Sequence, residues 1–353
     1  MTDDESASTQ SSTQSRGTTV TVRQAKPGDD AAVATFTQDT WGERHDDYIP
    51  RVFDDWIASD DEGQRTFVAT LPPAALDDPH PEAVVTGNGE GVAAAGDEEV
   101  VVGCVQAVLL TEWESWAQGI RVDPAARGAS AGSALTNAVL EWARDAGATV
   151  CRNMVFSWNV AGLGQSRAVG FDPATEFRFA RPEPDREAVA RGDAIEIADP
   201  DPKGAWAFWT ASDARDHLRG LSLDPGEGWA CSELTADRIA DAAAEGRLVG
   251  VRDADGFAGF ALRTRVSERD GDDGVEHHAV YGAAAWRNAE AAGELLAAVS
   301  RDAAKEGADV VRVLIPETAS HVSDVAANRV EVSGEPDFVL CADLTDPAVG
   351  SSR

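Results

Sequence analysis

The sequence predicts a mixed α/β protein, an α+β mixed sheet, built as two domains in tandem. Three observations predict it. The chain has 353 residues, roughly two domains at about 150 residues each. Alternating apolar segments are followed by segments of helical spacing in both halves, as in α/β folds. The order of these segments repeats once, at a period of roughly 170 to 180 residues, too long for a solenoid.

Residues 1–17, acidic and rich in Ser and Thr, read as a disordered leader. Thr18–Ala25 alternates as a strand, and Pro27-Gly28-Asp29-Asp30 turns into a helix with Asp29 or Asp30 as N-cap and Ala32, Val33 and Phe36 as its apolar face. A second helix spans Pro50–Ala58, anchored by Val52, Phe53, Trp56 and Ile57, and Arg65–Thr70 is a strand. Residues 72–99, rich in Pro, Gly, Ala, Asp and Glu, read as an inserted acidic loop. Val100–Leu110, containing Gly103, and Trp116–Asp123 are strands; a helix over Gly132–Ala146 places Ala134, Leu135, Ala138, Val139 and Trp142 on one stripe. Strand Ala148–Phe156, helix Val160–Val169 and a strand at 176–181 complete a first domain over 18–182. Residues 183–204, Pro-rich and charged, are a linker to a second domain over 205–346, with a tail at 347–353. There the pattern gives a strand at 205–210, helices to about residue 246, and a strand at 247–252. A DADG turn, strands at 257–266 and 277–285, a helix at 288–306, a strand at 309–315 and a last strand near 338–344 follow.

Composition narrows the function. Asp and Glu number 62 against 30 Lys and Arg, a formal net charge of −32 with a pI near 4.4. Such a surface repels phosphate backbones and anionic lipid, so nucleic-acid and membrane partners are not expected. No apolar run approaches the roughly 20 residues that cross a bilayer. The leader has neither the basic start nor the apolar core of a secretory signal, and the expected location is cytoplasmic. Only Lys26, Lys203 and Lys305 are lysines. Acid excess spread along the chain with almost no Lys resembles the cytoplasmic proteins of salt-in halophiles of the archaeal type, where concentrated salt screens self-repulsion. Cys104, Cys151, Cys231 and Cys341 lie far apart without a CxxC or Cys/His cluster, so no metal is expected and the thiols read as buried and reduced.

The informative segment runs from Gly119 to Leu135, GIRVDPAARGASAGSAL: a strand, a Pro-containing turn, then small residues opening a helix. Free amides at a helix start cradle an anion, small side chains let a pyrophosphate approach, and Arg127 adds a cation. A dinucleotide GxGxxG after the first strand and a Walker Gly-Lys-Ser/Thr ending are both absent. The segment resembles the acyl-CoA pyrophosphate loop of the GNAT superfamily of N-acetyltransferases. Val122-Asp123-Pro124 and Arg127-Gly128-Ala129-Ser130-Ala131-Gly132 stand in register with the family's V-x-P and Q/R-x-x-G-x-G/A, with Ser130 where the family usually has Gly. A Ser at a helix start is also a good N-cap. A second motif supports the resemblance at the right distance. Asn159-Val160-Ala161-Gly162, then Ser166 in the place of the family's Tyr, then Gly170-Phe171, fit N-x-x-A, Tyr and GF.

The resemblance, which covers residues 19 to 181, implies an N-acetyltransferase that moves an acetyl group from acetyl-CoA to an amine of a small molecule or protein by direct attack, without a metal. It implies CoA contacts from the backbone of Ile120, Arg121 and Val122, from Arg127, Gly128, Ala129, Ser130, Ala131, Gly132 and Ser133, and from Asn159. Ser166 inherits the acid's place, although a Ser hydroxyl is a far weaker acid than Tyr. Glu112 and Glu114, in TEWESW before the strand, are candidate bases; a solvated turn accounts for either equally well. Trp41, His45 and Tyr48 fall in the segment that lines the family's acceptor pocket. In the second half the corresponding junction, VYGAAAWRNAEAAG over 280–293, has no GxG pair, and Glu290 stands near the place of a pyrophosphate. That half reads as a degenerate GNAT-like copy that lost CoA. A non-catalytic acyl-CoA-binding protein is the alternative, and the composition allows a monomer or a homodimer.

Overall fold

The computed structural model describes residues 20–38, 40, 42, 47–86, 98–189, 193–271 and 274–350. The acidic leader, Trp41 and His45 lie outside the described residues. Packing divides the chain into two compact units. The first comprises Met1–Ala58, Phe67–Cys104 and Ile120–Leu135; the second comprises Ser59–Thr66, Val105–Gly119 and Thr136–Arg353.

In the first unit, β1 (Thr21–Gln24) leads into α1 (Asp29–Thr37) through Gly28, whose φ of 97° suits a residue without Cβ. Gly28, and neither Asp29 nor Asp30, occupies the N-cap position. Asp29 is instead the first helical residue, fully buried, and accepts from Lys26 N–H at 2.8 Å and from two Arg23 nitrogens at 2.7 and 2.8 Å. Those donors hold it inside the turn. α2 (Ile49–Ser59) sets Ile49 and Phe53 against Ala32, Val33 and Phe36 of α1. β2 (Gln64–Leu71) pairs antiparallel with β1, Thr21 opposite Thr70. The described residues of the stretch at 72–99, read from sequence as a loop, carry regular structure. Prolines fix short 3-10 turns at Pro73–Ala75 and Pro81–Ala83, and β3 (Val84–Thr86) pairs with the start of β4 (Glu98–Leu109). Val68 of β2 and Val101 and Cys104 of β4 close this core. β5 (Glu114–Val122) and α3 (Ala131–Asp145) follow, with Ile120–Val122 and Ala131–Leu135 in this unit and the rest of each in the second.

The second unit continues with β6 (Val150–Phe156), α4 (Val160–Ala168), β7 (Asp172–Arg181), β8 (Ile195–Ile197), α5 (Pro202–Thr210), α6 (Asp213–His217), β9 (Leu221–Leu223) and β10 (Cys231–Glu233). Then come α7 (Ala236–Ala244), β11 (Leu248–Asp253), β12 (Gly256–Gly271), β13 (Gly274–Trp286), α8 (Ala289–Lys305), β14 (Val310–Pro316), α9 (Ala319–Ala327), β15 (Glu331–Val332) and β16 (Asp337–Asp343). Its sheet runs β5-β6-β16-β7-β14-β13-β12-β11-β8. The β5–β6 and β13–β14 pairs are parallel and their neighbours antiparallel, so the sheet is mixed. Alternate residues of its strands feed two cores, one under α8 and the other under α5 and α7.

The second half also departs from the sequence reading: β9 and β10 pair antiparallel where only helices were expected up to residue 246. Two differences are larger. Residues 205–210, expected as a strand, are the body of α5. Asp201 caps it, accepting from Lys203 and Gly204 N–H at 3.2 and 3.1 Å, Pro202 opens it, and Ala205 and Trp209 meet the core at i, i+4 spacing. The alternation of Ala with Trp206 and Phe208 imitated a strand, and the start signal lay in what read as linker. That linker also holds β8, paired with β11. The second departure is an exchange of strands. β16, the last strand of the second half, lies between β6 and β7 of the first, with Asp337 opposite both Phe156 and Phe177. β7 in turn pairs with β14, Val313 opposite Ala180. Each half completes the other's sheet.

Candidate functional site

The loop after β5 is built from local backbone chemistry. Asp123 N–H bonds Val102 O at 2.8 Å, and the Asp123 carboxylate accepts from Ala125 N–H at 2.8 Å, fixing a 3-10 turn at Pro124–Ala126. Arg127 and Gly128 are exposed, Gly128 with φ 85° and open space where a Cβ would stand. Ala134 N–H makes the first bond back to Ser130 O, at 3.0 Å. Among the described residues, the amides of Gly128, Ser130, Ala131 and Ser133 find no backbone acceptor. The result is a run of small residues with unsatisfied donors at the start of a 15-residue helix, beside a solvated guanidinium. A phosphate fits this donor set.

Ser130 departs from the expected N-cap geometry. Its φ is 67°, in the left-handed region, and among the described residues its hydroxyl caps no helix amide. A side chain there costs about 1 kcal/mol relative to Gly. Ser130→Gly is therefore expected to raise the unfolding free energy by about that amount, read from the denaturant midpoint at constant m; a loss of stability would show that the hydroxyl holds the loop. Gly103 on β4 has the opposite constraint, since a Cβ would stand 2.8 Å from Arg121 O and 2.9 Å from Leu135 Cδ1.

Arg121 contributes more than its backbone. Its buried guanidinium grips the buried Asp47 at 2.6 and 3.1 Å, and lies 5.8 Å from the Tyr48 ring, which meets Trp56 edge-on at 6.1 Å. Tyr48 is 38% exposed. Of the acceptor-pocket residues expected from sequence, Tyr48 is described and is held by Arg121 and Trp56.

In the second unit, the parallel pairing of β5 with β6 ends at Trp116 opposite Arg152, and the strands part beyond it. The two candidate bases fall far apart in environment. Glu112 is exposed at the tip of the β4–β5 hairpin. Glu114 is 1% exposed; it takes Arg152 at 2.5 Å, Glu233 N–H at 3.0 Å and the Thr111 hydroxyl at 3.4 Å. Its lone pairs are committed to the fold, which leaves it a structural ion pair. Asn159 caps α4 through Gly162 N–H at 2.9 Å, a use of its Oδ1 that leaves the Nδ2 donor. Ser166 is buried and accepts from Asn153 Nδ2 at 3.0 Å.

Sequence reasoning missed Glu227. It sits in the Asp224–Trp229 turn between β9 and β10. Asp224 organises this turn by accepting from Gly226 and Glu227 N–H at 2.9 Å each and from the Ser232 hydroxyl at 2.6 Å. The Glu227 carboxylate accepts from Gln118 Nε2 at 3.0 Å, and Gln118 also bonds Gln106 Oε1 at 2.7 Å. Burial pushes the Glu227 carboxyl above the ordinary Glu value, with Gln118 opposing and Asp224 adding to the rise. DPGEGW reads as a turn, and nothing in it marks its Glu as half-buried beside β5.

The start of α8 differs from that of α3. Asn288 caps it through Ala291 N–H at 2.9 Å, and Asn328 Nδ2 bonds Ala289 O at 2.9 Å while lying against Gly293. Glu290 stands in this first turn. Burial raises the thiols of Cys104, Cys151 and Cys231 to about 12, which leaves them unreactive. Among the described residues no group of three or more His, Cys, Asp and Glu side chains could hold a metal, and no helix is long and apolar enough to cross a membrane.

Residues 32–164 match the Acetyltransferase (GNAT) family. No curated protein sequence matches the chain. Among solved structures, the chain is similar to a GCN5-related N-acetyltransferase from Sphaerobacter thermophilus, with 13% identity, 92% of this chain and 96% of that one covered, and a TM-score of 0.55. It is also similar to a GCN5-related glucosamine N-acetyltransferase region of a fungal multi-domain GH3 beta-N-acetylglucosaminidase. There the identity is 14%, 92% of this chain and 38% of that one are covered, and the TM-score is 0.55. At these identities the likeness is one of fold, and the fold is the mixed α/β fold of GNAT-type acetyltransferases.

Proposed function

We propose, from a GNAT-type fold whose residues 32–164 match the acetyltransferase family, that this protein is an acetyl-CoA-dependent N-acetyltransferase acting on an amine. The observation that carries the reading is the donor-rich loop at Arg127–Ser133. Its unsatisfied amides and the Arg127 guanidinium would hold the pyrophosphate of CoA, while the backbone of Ile120–Val122 would meet the pantetheine arm; Asn159, to which the family resemblance gives a pantetheine role, keeps its Nδ2 donor. Acetyl-CoA, when bound, supplies the activated acyl group. The amine must lose a proton before it attacks. Glu227 is the carboxylate best suited to take it, half-buried, raised in pKa and held by Gln118. Ser166, buried against Asn153, is a poor proton source for the departing thiolate, and Glu114 is committed to Arg152.

Residues 18–182 and 205–346 are read as two GNAT-like halves with exchanged last strands, the second without a CoA site. The capping of α8 by Asn288 and Glu290 in its first turn support that loss. The acid-rich, Lys-poor composition supports a cytoplasm of concentrated salt as the working medium. The test is therefore thermal unfolding in molar KCl with acetyl-CoA. Ligand at 100 times its Kd should stabilise the protein by about 2.7 kcal/mol. Arg127→Glu should remove the shift, and an undiminished shift in that variant would discredit the loop. Thiol release across an amine panel then reports turnover.

A further inference from the structure

The acid excess of this chain makes cations without carboxylate partners conspicuous, and three of them gather in one place. Arg265 and Arg269 lie on the same face of β12, two pleats apart, and Arg312 lies on β14. Val280 of β13 stands between them, paired with Arg265 on one side and Arg312 on the other. Among the described residues no carboxylate lies within 4 Å of any of the three. Arg263, across a β-bulge on the other face of the sheet, has Asp302 and Glu306 each at 2.9 Å. The guanidiniums of Arg269 and Arg312 both lie 5.4 Å from the centre of the Trp229 ring, and Arg265 holds that turn by donating to Asp224 O at 2.9 Å. Trp229 is itself forced into left-handed backbone, φ 69°, a conformation a bulky residue adopts only under constraint.

Four buried polar atoms on these strands also find no partner among the described residues: Arg312 Nε, Ser267 Oγ, His278 Nδ1 and Thr264 Oγ1. Ser267 and His278 are opposite one another on β12 and β13, and His278 is 5% exposed. The same place in the first half is filled differently. Arg152 on β6 pairs with Trp116 as Arg312 pairs with Val280, and two residues before Trp116 stands Glu114, Arg152's counter-ion. Two residues before Val280 stands His278. One half therefore carries a closed ion pair, and the other carries an arginine with its anion left out. Of the acids near Arg312, Glu276 is engaged by His278 at 3.0 Å, and burial raises the Asp337 carboxyl to about 7, which weakens it as a counter-ion near neutrality; Asp224 and Glu227 act on Arg265 from beyond 4 Å. Burial and the neighbouring Arg269 and Arg181 depress Arg312 to about 10.

We propose that Arg265, Arg269 and Arg312, gathered around Trp229, bind the carboxylate or phosphate of a small molecule, and that this molecule is the acetyl acceptor, an amine that also bears an anionic group. The first part stands on the cluster alone. The second rests on the acetyltransferase reading: Glu227, the proposed base, is two residues from Trp229 in the same turn, so one turn presents a proton acceptor and closes an oxyanion site. A planar carboxylate or a phosphate suits forked guanidiniums.

The test uses the full chain at fixed KCl. Inorganic phosphate and succinate are titrated separately by thermal shift and calorimetry, which distinguishes the two oxyanions. Binding of either, weakened at least tenfold in Arg269→Gln and Arg312→Gln, is the expected result. Should those variants fail to fold, protection of Arg265, Arg269 and Arg312 from phenylglyoxal by the same anions is read on the unsubstituted protein by mass spectrometry. Absence of both binding and protection overturns the site. Acceptors are then compared in pairs, lysine against cadaverine and glucosamine 6-phosphate against glucosamine. The anionic member of one pair should show at least tenfold higher kcat/KM, and the preference should collapse in Arg269→Gln. Acetyl-CoA-dependent turnover with no such preference overturns the acceptor assignment and leaves acetyl transfer standing. Anion binding by a protein that acetylates nothing in the panel overturns the acetyltransferase reading and leaves the anion site standing.

Discussion

Arg152→Met is expected to cost about 3–5 kcal/mol of stability, the range for breaking a buried ion pair from one side. The reason lies in what remains. Glu114 is 1% exposed, and among the described residues its other donors are Glu233 N–H and the Thr111 hydroxyl. Water cannot replace the lost guanidinium, because the methionine fills the space. The loss should also resist salt, unlike that of a surface pair, since screening acts weakly on buried charges. The denaturant midpoint in low and molar KCl checks both points, and a cost under about 1 kcal/mol would mean that Glu114 reaches solvent. The same geometry separates structure from catalysis, for Glu114→Gln should retain turnover in whatever fraction stays folded.

Glu227→Gln is expected to lower kcat by about 10²–10⁴, the usual worth of a positioned proton acceptor, while the acetyl-CoA-induced thermal shift persists. The pH dependence gives the sign. A base works deprotonated, so kcat/KM should rise with pH as Glu227 ionises. Burial raises that carboxyl, so the acid limb should stand above the ordinary Glu value. In Glu227→Gln this limb should vanish along with the rate. Retention of the limb at full amplitude would assign it to another group. Gln118→Leu is milder: removal of the 3.0 Å bond to Glu227, which favours the ionised form, should move the limb further upward with the fold intact.

What the sequence revealed follows local signals. Apolar alternation and helix-start chemistry placed β2, β4, β5 and β6 and the helices at Ala131–Asp145 and Ala289–Lys305 to within a residue or two, whereas β7 begins four residues before the expected start and β3 was read as loop. Local signals failed where two of them competed, as at Asp201–Thr210, where an aromatic alternation outweighed a sound N-cap with Pro behind it. They were silent on long-range placement. Nothing in TEWESW distinguishes the solvated Glu112 from the buried Glu114, because Glu114's partner is Arg152, brought beside it by parallel strands. Glu227 and the three arginines without a carboxylate within 4 Å among the described residues escaped for the same reason. Arg265 and Arg269 did leave a trace, cations repeated on one face of a strand that should bury that face. The trace gains meaning only when Trp229 is seen to cover it.

The exchanged strands have a consequence for how the chain is made. β6 and β7 end with residues 156 and 181, yet the strand that lies between them begins at residue 337. During synthesis the first half must wait for about 150 further residues with two sheet edges unpaired, the arrangement that invites pairing between molecules. Closure over such a separation is also slow, since its entropy is lost before any contact forms. The acid excess already present in that half repels neighbouring chains throughout that interval. That acid excess would then guard the unfinished chain against aggregation on the ribosome.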